Sequence, residues 1–149
     1  MIRRTFILGA ITISCLPSSG FASNDVLIVN RSESCGCCGA WVDRMRLAGF
    51  KTKVNLVSNE TLDSIKSKLG ISYELSSCHT AIIGDYFIEG HVPAEDILRL
   101  LVEKPNALGL SVPGMPIGSP GMEMGSTKEA FETFILLEDG NAQIFNRHS

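Results

Sequence analysis

Three observations predict an α/β fold with a central mixed β-sheet flanked by helices. A β-branched apolar run gives way at once to helical periodicity, a second strand-and-helix pair follows, and a hairpin signal then leads into a third helix. Asp25-Val26-Leu27-Ile28-Val29-Asn30 is nearly continuously apolar, the pattern of a strand buried on both faces. Trp41, Val42, Met45 and Leu47 then recur at helical spacing, and Gly49 supplies a stop. Met45 belongs to the apolar face of that helix, and Trp41 reads as a core or lid residue. Lys51 to Val57 alternates polar and apolar like a second strand, and Glu60 to Leu69 reads as a helix closed by Gly70. Ala81-Ile82-Ile83 and Tyr86-Phe87-Ile88 flank Gly84-Asp85 as a hairpin. Pro93 starts the third helix, which carries Glu95 and Asp96 at its positive end and runs through Ile97, Leu98, Leu100 and Leu101.

From Leu108 to Gly125 the chain turns to Gly, Pro, Ser and Met, with Pro113-Gly114-Met115 and Pro120-Gly121-Met122 seven residues apart. That composition predicts a loop rather than a helix or strand. Phe131 to Leu137 and Ala142 to Phe145, around Glu138-Asp139-Gly140-Asn141, predict a terminal β-hairpin, with His148 in a frayed tail.

The first 22 residues read as a secretory signal peptide: Arg3 and Arg4, an apolar run from Thr5 to Leu16, then small residues at Gly20 and Ala22 before a cut at Ser23. The run is too short to be a permanent membrane span. Arg3-Arg4-Thr5-Phe6-Ile7 partly matches a twin-arginine signal, and Cys15 partly matches a lipoprotein anchor, with the surrounding pattern incomplete for both. Residues 23–149 form the expected single domain, exported to the periplasm and monomeric or weakly associating. Losing Arg3 and Arg4 leaves 11 basic against 16 acidic residues, a net charge of −5 with none of the basic clustering a nucleic-acid binder needs.

Cys35-Gly36-Cys37-Cys38 puts three thiols within four residues where the first strand hands over to the first helix. A helix N-terminus stabilises thiolate, the form that attacks disulfides and holds metals. With Cys15 lost in the leader, the mature chain keeps Cys35, Cys37, Cys38 and Cys78. An even count in an oxidising compartment normally suggests structural disulfides, but three thiols in one turn cannot staple distant parts of a fold. The order β-α-β-α-β-β-α is that of the thioredoxin-like fold, and Cys35 and Cys38 have its C-x-x-C spacing. In such folds the loop before the third strand lies against the cysteine turn, which would bring Cys78 beside the other three, 40 residues beyond Cys38. His79 stands near the position where these folds usually have a cis-proline.

Four thiols, together with Met115, Met122 and Met124 on the loop and nearby histidines, make a soft donor set. Soft sulfur favours Cu(I), with zinc and iron–sulfur chemistry also open. Thioethers are poor zinc ligands, which tips the set toward copper. The chain between Cys35, Cys37 and Cys38 is too short for them to occupy three corners around one ion easily. Thiolates bridging several Cu(I) ions relieve that constraint, so a multinuclear site is expected. His79 adjoins Cys78 and is a candidate ligand or supporting group. His91 reads first as a helix-start residue and second as a ligand. The methionines also suit irregular core gaps. The competing reading is a thiol-disulfide oxidoreductase in which Cys35 attacks and Cys38 resolves. That reading leaves Cys37, Cys78 and the methionines without a role. A zinc or structural-disulfide domain is the third.

Cys35-Gly36-Cys37-Cys38-Gly39-Ala40-Trp41-Val42, Ser77-Cys78-His79-Thr80, Glu89-Gly90-His91-Val92-Pro93-Ala94-Glu95-Asp96-Ile97, and Val112-Pro113-Gly114-Met115-Pro116 with Gly118-Ser119-Pro120-Gly121-Met122-Glu123 occur in that order. Together they resemble the CopG family of exported copper-resistance proteins, over nearly all of the mature chain. The resemblance implies a thioredoxin-like domain that binds copper through Cys35, Cys37, Cys38 and Cys78. It also implies a multinuclear copper–thiolate site with copper redox chemistry, acting in copper tolerance by sequestering Cu(I) or cycling it with Cu(II). Other periplasmic copper-handling proteins are the expected partners.

Overall fold

The computed structural model describes residues 25–149. The leader, Cys15 and the cut before Ser23 lie outside the described residues. The elements are β1 (Leu27–Arg31), α1 (Gly36–Leu47), β2 (Thr52–Leu56), α2 (Asn59–Lys68), β3 (His79–Ile83), β4 (Tyr86–Gly90), α3 (Ala94–Glu103), β5 (Ala107–Val112), β6 (Phe131–Leu137) and β7 (Ala142–His148), with a 3-10 turn at Tyr73–Leu75. Through α3 the order is the expected one. All seven strands form one mixed sheet, ordered β2-β1-β3-β4-β5-β6-β7. β1 is parallel to β2 and β4 to β5, and the remaining neighbours are antiparallel. Each parallel pair needs a crossover, which α1 and α3 supply.

Side chains alternate across the sheet, and this alternation divides the core. Leu27, Val29, Ala81, Ile83, Ile88, Leu110 and Val112 meet Trp41, Val42 and Met45 of α1 and Ile97 and Leu100 of α3 on one face. On the other face Phe87 and Leu136 meet Ile71, with Ile82, Leu108, Leu69 and Leu75 around them. β1 is not buried on both faces as its composition suggested. Leu27 and Val29 are inaccessible, but Val26 and Ile28 are 42% and 36% exposed. α2 packs toward β3.

Local signals explain the helix ends. Ser58 caps α2 by accepting from the Thr61 amide at 3.2 Å, and Gly49, at φ +96°, ends α1 in a conformation other residues resist.

Two further expectations are corrected. The loop predicted from Leu108 begins only after Val112, because residues 107–112 form β5, which joins β4 to the terminal hairpin. Gly109 looked like loop punctuation, but it is there because Phe87 packs against its backbone. A Cβ at Gly109 would lie 2.1 Å from the Phe87 carbonyl oxygen and 2.6 Å from its ring. The tail is not frayed either. His148 ends β7, stacks on Phe131 at 4.5 Å, and its Nε2 lies 2.9 Å from the buried Asp96 carboxylate and 3.0 Å from the Thr133 hydroxyl. No helix among the described residues is long and apolar enough to cross a membrane.

Candidate metal centre

The turn from β1 into α1 carries Cys35 as N-cap, with Cys37 and Cys38 in the first helical turn. Arg31, the last residue of β1, fixes that turn by donating from Nη1 to the carbonyls of Ser32 at 3.1 Å and Cys35 at 3.0 Å. Cys35 and Cys38 are joined as a disulfide, while Cys37 and Cys78 are free and partly buried. Cys78 arrives on the segment that enters β3, as the fold reasoning required. Its sulfur lies 3.9 Å from that of Cys37, which is itself 3.5 Å from that of Cys35. All four sulfurs lie within 4.8 Å of one another.

The histidines close the site from the sheet side. His91 Nδ1 lies 2.8 Å from the Pro120 carbonyl oxygen, which can only accept, so Nδ1 carries the proton. Nε2 therefore presents its lone pair, 3.1 Å from the Cys78 sulfur. His91 does stand just ahead of α3, but its ring turns to the thiols. His79 is wholly buried between the rings of Trp41, at 4.4 Å, and His91, at 5.2 Å. Its Nδ1 is 3.5 Å from the Cys78 sulfur, while its Nε2 is buried without a hydrogen-bond partner. Burial holds His79 well below the usual imidazole range, helped first by the neighbouring His91 and then by the charges of Lys66 and Arg31, and burial also lowers His91. Both rings are thus neutral donors. Burial, followed by the neighbouring Cys37, pushes the Cys78 thiol up to about 12, so a cation taken up there has to displace a firmly held proton.

Of the three loop methionines, Met115 reaches the cluster, its sulfur 3.9 Å from that of Cys37. Met124 is 61% exposed on a small turn bridged to Thr127. Met122 sits between them, its backbone tied to Gly118 and Ser119. The loop is fastened to α1 by Gly121, whose positive φ and missing side chain allow close approach. A Cβ there would lie 2.5 Å from the Trp41 amide and 2.9 Å from the Cys37 carbonyl. Glu123 adds an ion pair to Arg44 at 2.8 Å.

Sequence reasoning missed the support beneath Cys78. Glu89 of β4 is fully buried and forms a short ion pair with Lys66 of α2. Its carboxylate also accepts from the Ser77 amide at 2.6 Å and the Thr80 hydroxyl at 2.6 Å. Lys66 donates in addition to the Ser77 carbonyl at 3.0 Å and the Thr80 hydroxyl at 3.0 Å. The two residues flanking the Cys78-His79 pair are therefore held from below. The next residue, Gly90, has no Cβ to collide with Ser77, which would lie 2.5 Å away. The available signals were an acid inside an otherwise apolar strand and a lysine one turn past Leu62 on the apolar face of α2.

A family model described as a protein of unknown function, DUF411, matches residues 75–122, the stretch that carries Cys78, His79, His91, Met115 and Met122. A search of curated proteins returned no significant match. Among solved structures, Form 2 of the copper resistance protein CopG is similar at 40% identity and a TM-score of 0.78, covering 84% of this chain and 98% of that one. Form 1 is similar at 41% identity and a TM-score of 0.77, covering 83% of this chain and 96% of the other. Identity at that level, sustained across most of both chains, means that this chain belongs to the CopG family.

Proposed function

We propose that this protein is an exported, periplasmic copper-binding protein that serves copper resistance by holding Cu(I) in a multinuclear cysteine-thiolate site and cycling it between Cu(I) and Cu(II). The observation that carries the reading is the convergence of four sulfurs from two distant chain segments within 4.8 Å. Met115 and the unprotonated Nε2 of His91 stand beside them. Thiolate, thioether and neutral imidazole are the donors soft copper prefers, and a hard cation would find no carboxylate among them. Cys35, Cys37, Cys38 and Cys78 are the proposed ligands, with Met115 and His91 completing the set and His79 supporting it. Copper here is cargo, and the names of the similar structures support its choice over zinc. The thioredoxin-like reading of residues 23–149 is supported by β1 to β4, which lie in the order 2-1-3-4 with β3 antiparallel to its neighbours.

The test is elemental analysis of protein purified anaerobically from copper-supplemented cells, with free thiols counted on the same sample. Several copper atoms per chain with all four thiols protected is the expected result; copper-free protein would sink the proposal. The Cys35–Cys38 disulfide at the start of α1 favours a second reading, a thiol-disulfide oxidoreductase. Substituting Cys37 and Cys78 together separates the two. Disulfide exchange with a model dithiol survives in an oxidoreductase, while copper binding collapses in a copper protein.

A further inference from the structure

With Cys35 and Cys38 closed as a disulfide, two free thiols remain among the described residues, and they face each other. The Cys37 and Cys78 sulfurs are 3.9 Å apart. A disulfide holds its sulfurs at about 2.05 Å, which leaves a gap of just under about 2 Å to close, and the first disulfide does not have to open for it. Cys37 projects from the first turn of α1, while Cys78 is carried by the segment that Glu89 and Lys66 hold in place. One sulfur is thus presented to the other by two separately anchored elements.

The geometry points to a second disulfide, Cys37–Cys78, formed after Cys35–Cys38, so that the four thiols together store four electrons and reduce four Cu(II) ions to Cu(I) per chain. In each step two thiols lose two protons to water and one S–S bond forms. The two electrons released reduce two Cu(II) to two Cu(I). This gives Cys37 and Cys78 a role that a bare C-x-x-C pair leaves unexplained, and it rests on the copper reading above only for the identity of the oxidant. Copper holding and copper reduction then use the same sulfurs at opposite ends of one cycle: the reduced chain binds Cu(I), and the chain oxidised twice has no thiolate left to bind it.

The test starts from fully reduced protein under anaerobic conditions. It is titrated with Cu(II) in the presence of bicinchoninate, which captures and reports Cu(I), and disulfides are then mapped by peptide mass spectrometry. The expected result is four Cu(I) per chain, no free thiol, and the Cys35–Cys38 and Cys37–Cys78 bonds within one monomeric chain. Cys37→Ser and Cys78→Ser should each stop at two Cu(I), with Cys35–Cys38 intact as evidence that the variant is folded. Wild-type protein that stops at two Cu(I) with two free thiols overturns the inference, as does a Cys37 bond to a second chain. A parallel titration with diamide, a metal-free two-electron oxidant, separates the two proposals. Two equivalents consumed without any Cu(II) reduction in the first experiment would keep the second disulfide and sink copper as its oxidant. One equivalent consumed would sink the second disulfide and leave copper binding standing.

Discussion

Replacing Lys66 with methionine removes the cation from beneath Cys78 while filling nearly the same space. The Lys66 side chain is 8% exposed and that of Glu89 is inaccessible, so neither solvent nor salt can substitute for the lost charge. The ammonium's bonds to Glu89, the Ser77 carbonyl and the Thr80 hydroxyl disappear together. Breaking a buried ion pair from one side costs ~3–5 kcal/mol, a large part of the roughly 5–15 kcal/mol that holds an ordinary domain together. At a urea dependence of roughly 1–3 kcal/mol per molar, the unfolding midpoint should fall by about 2 M. The fully buried Trp41 provides the fluorescence signal. A double variant, Lys66→Met with Glu89→Leu, should recover most of the loss, because both charges then leave the interior.

The pH dependence gives a second check. Burial raises the Glu89 carboxyl above its ordinary value of 4.5 against the pull of Lys66, and without Lys66 it rises further. A raised folded value means the folded state binds the proton more tightly, so this group's stability is full below the ordinary value and lost as pH rises through the folded one. The deficit of Lys66→Met should therefore shrink on going from about pH 7.5 to about pH 5. A loss below about 1 kcal/mol at neutral pH, or a deficit that does not change with pH, would refute the idea that this pair holds the Cys78 segment.

Wild-type protein should respond to acid in the opposite sense through its histidines. His79 and His91 are both held below the ordinary value of 6.5, so the folded state binds fewer protons, and stability present above that value is lost as pH falls through the folded ones. Urea midpoints measured across this range should show the decline, and His91→Gln should flatten it. Met115→Leu should weaken Cu(I) retention several-fold in competition with a chelator, whereas Met124→Leu should leave it unchanged; unchanged retention in Met115→Leu would place Met115 outside the site. His148→Ala forfeits the bonds to Asp96 and Thr133 and should cost about 1–3 kcal/mol in thermal unfolding; a neutral result would restore the frayed tail.

The strand-to-helix handover at Cys35 was legible because three thiols, helical periodicity and a glycine stop agree locally. Cys78 was legible only through the element order, since nothing near it in sequence announces where it goes. β5 was missed because Gly109 and the Gly- and Pro-rich stretch after Val112 outweigh an alternation only six residues long, and what fixes Gly109 is Phe87 on another strand. Glu89 and Lys66 were hidden for the same reason: each looks anomalous alone, and the partner that makes it acceptable is 23 residues away. His148 depends on Asp96, 52 residues earlier. Information of that kind lies in pairings, and a single sequence does not display them.

The donors around Cys37 come from the first turn of α1, the approach to β3, the end of β4 and the loop after β5, so Cys37 and Met115 meet across 78 residues of chain. A polypeptide that crosses a membrane unfolded would carry three neighbouring thiols and nothing else of the centre. On the proposed function such a molecule would arrive empty and acquire its full capacity only when β4 and β5 close the sheet. From then on each ion taken up would add to the free energy that keeps the sheet closed. Protein newly made in a copper-poor compartment would then be the easiest to unfold and degrade, and the supply of the metal would set how long each copy lasts.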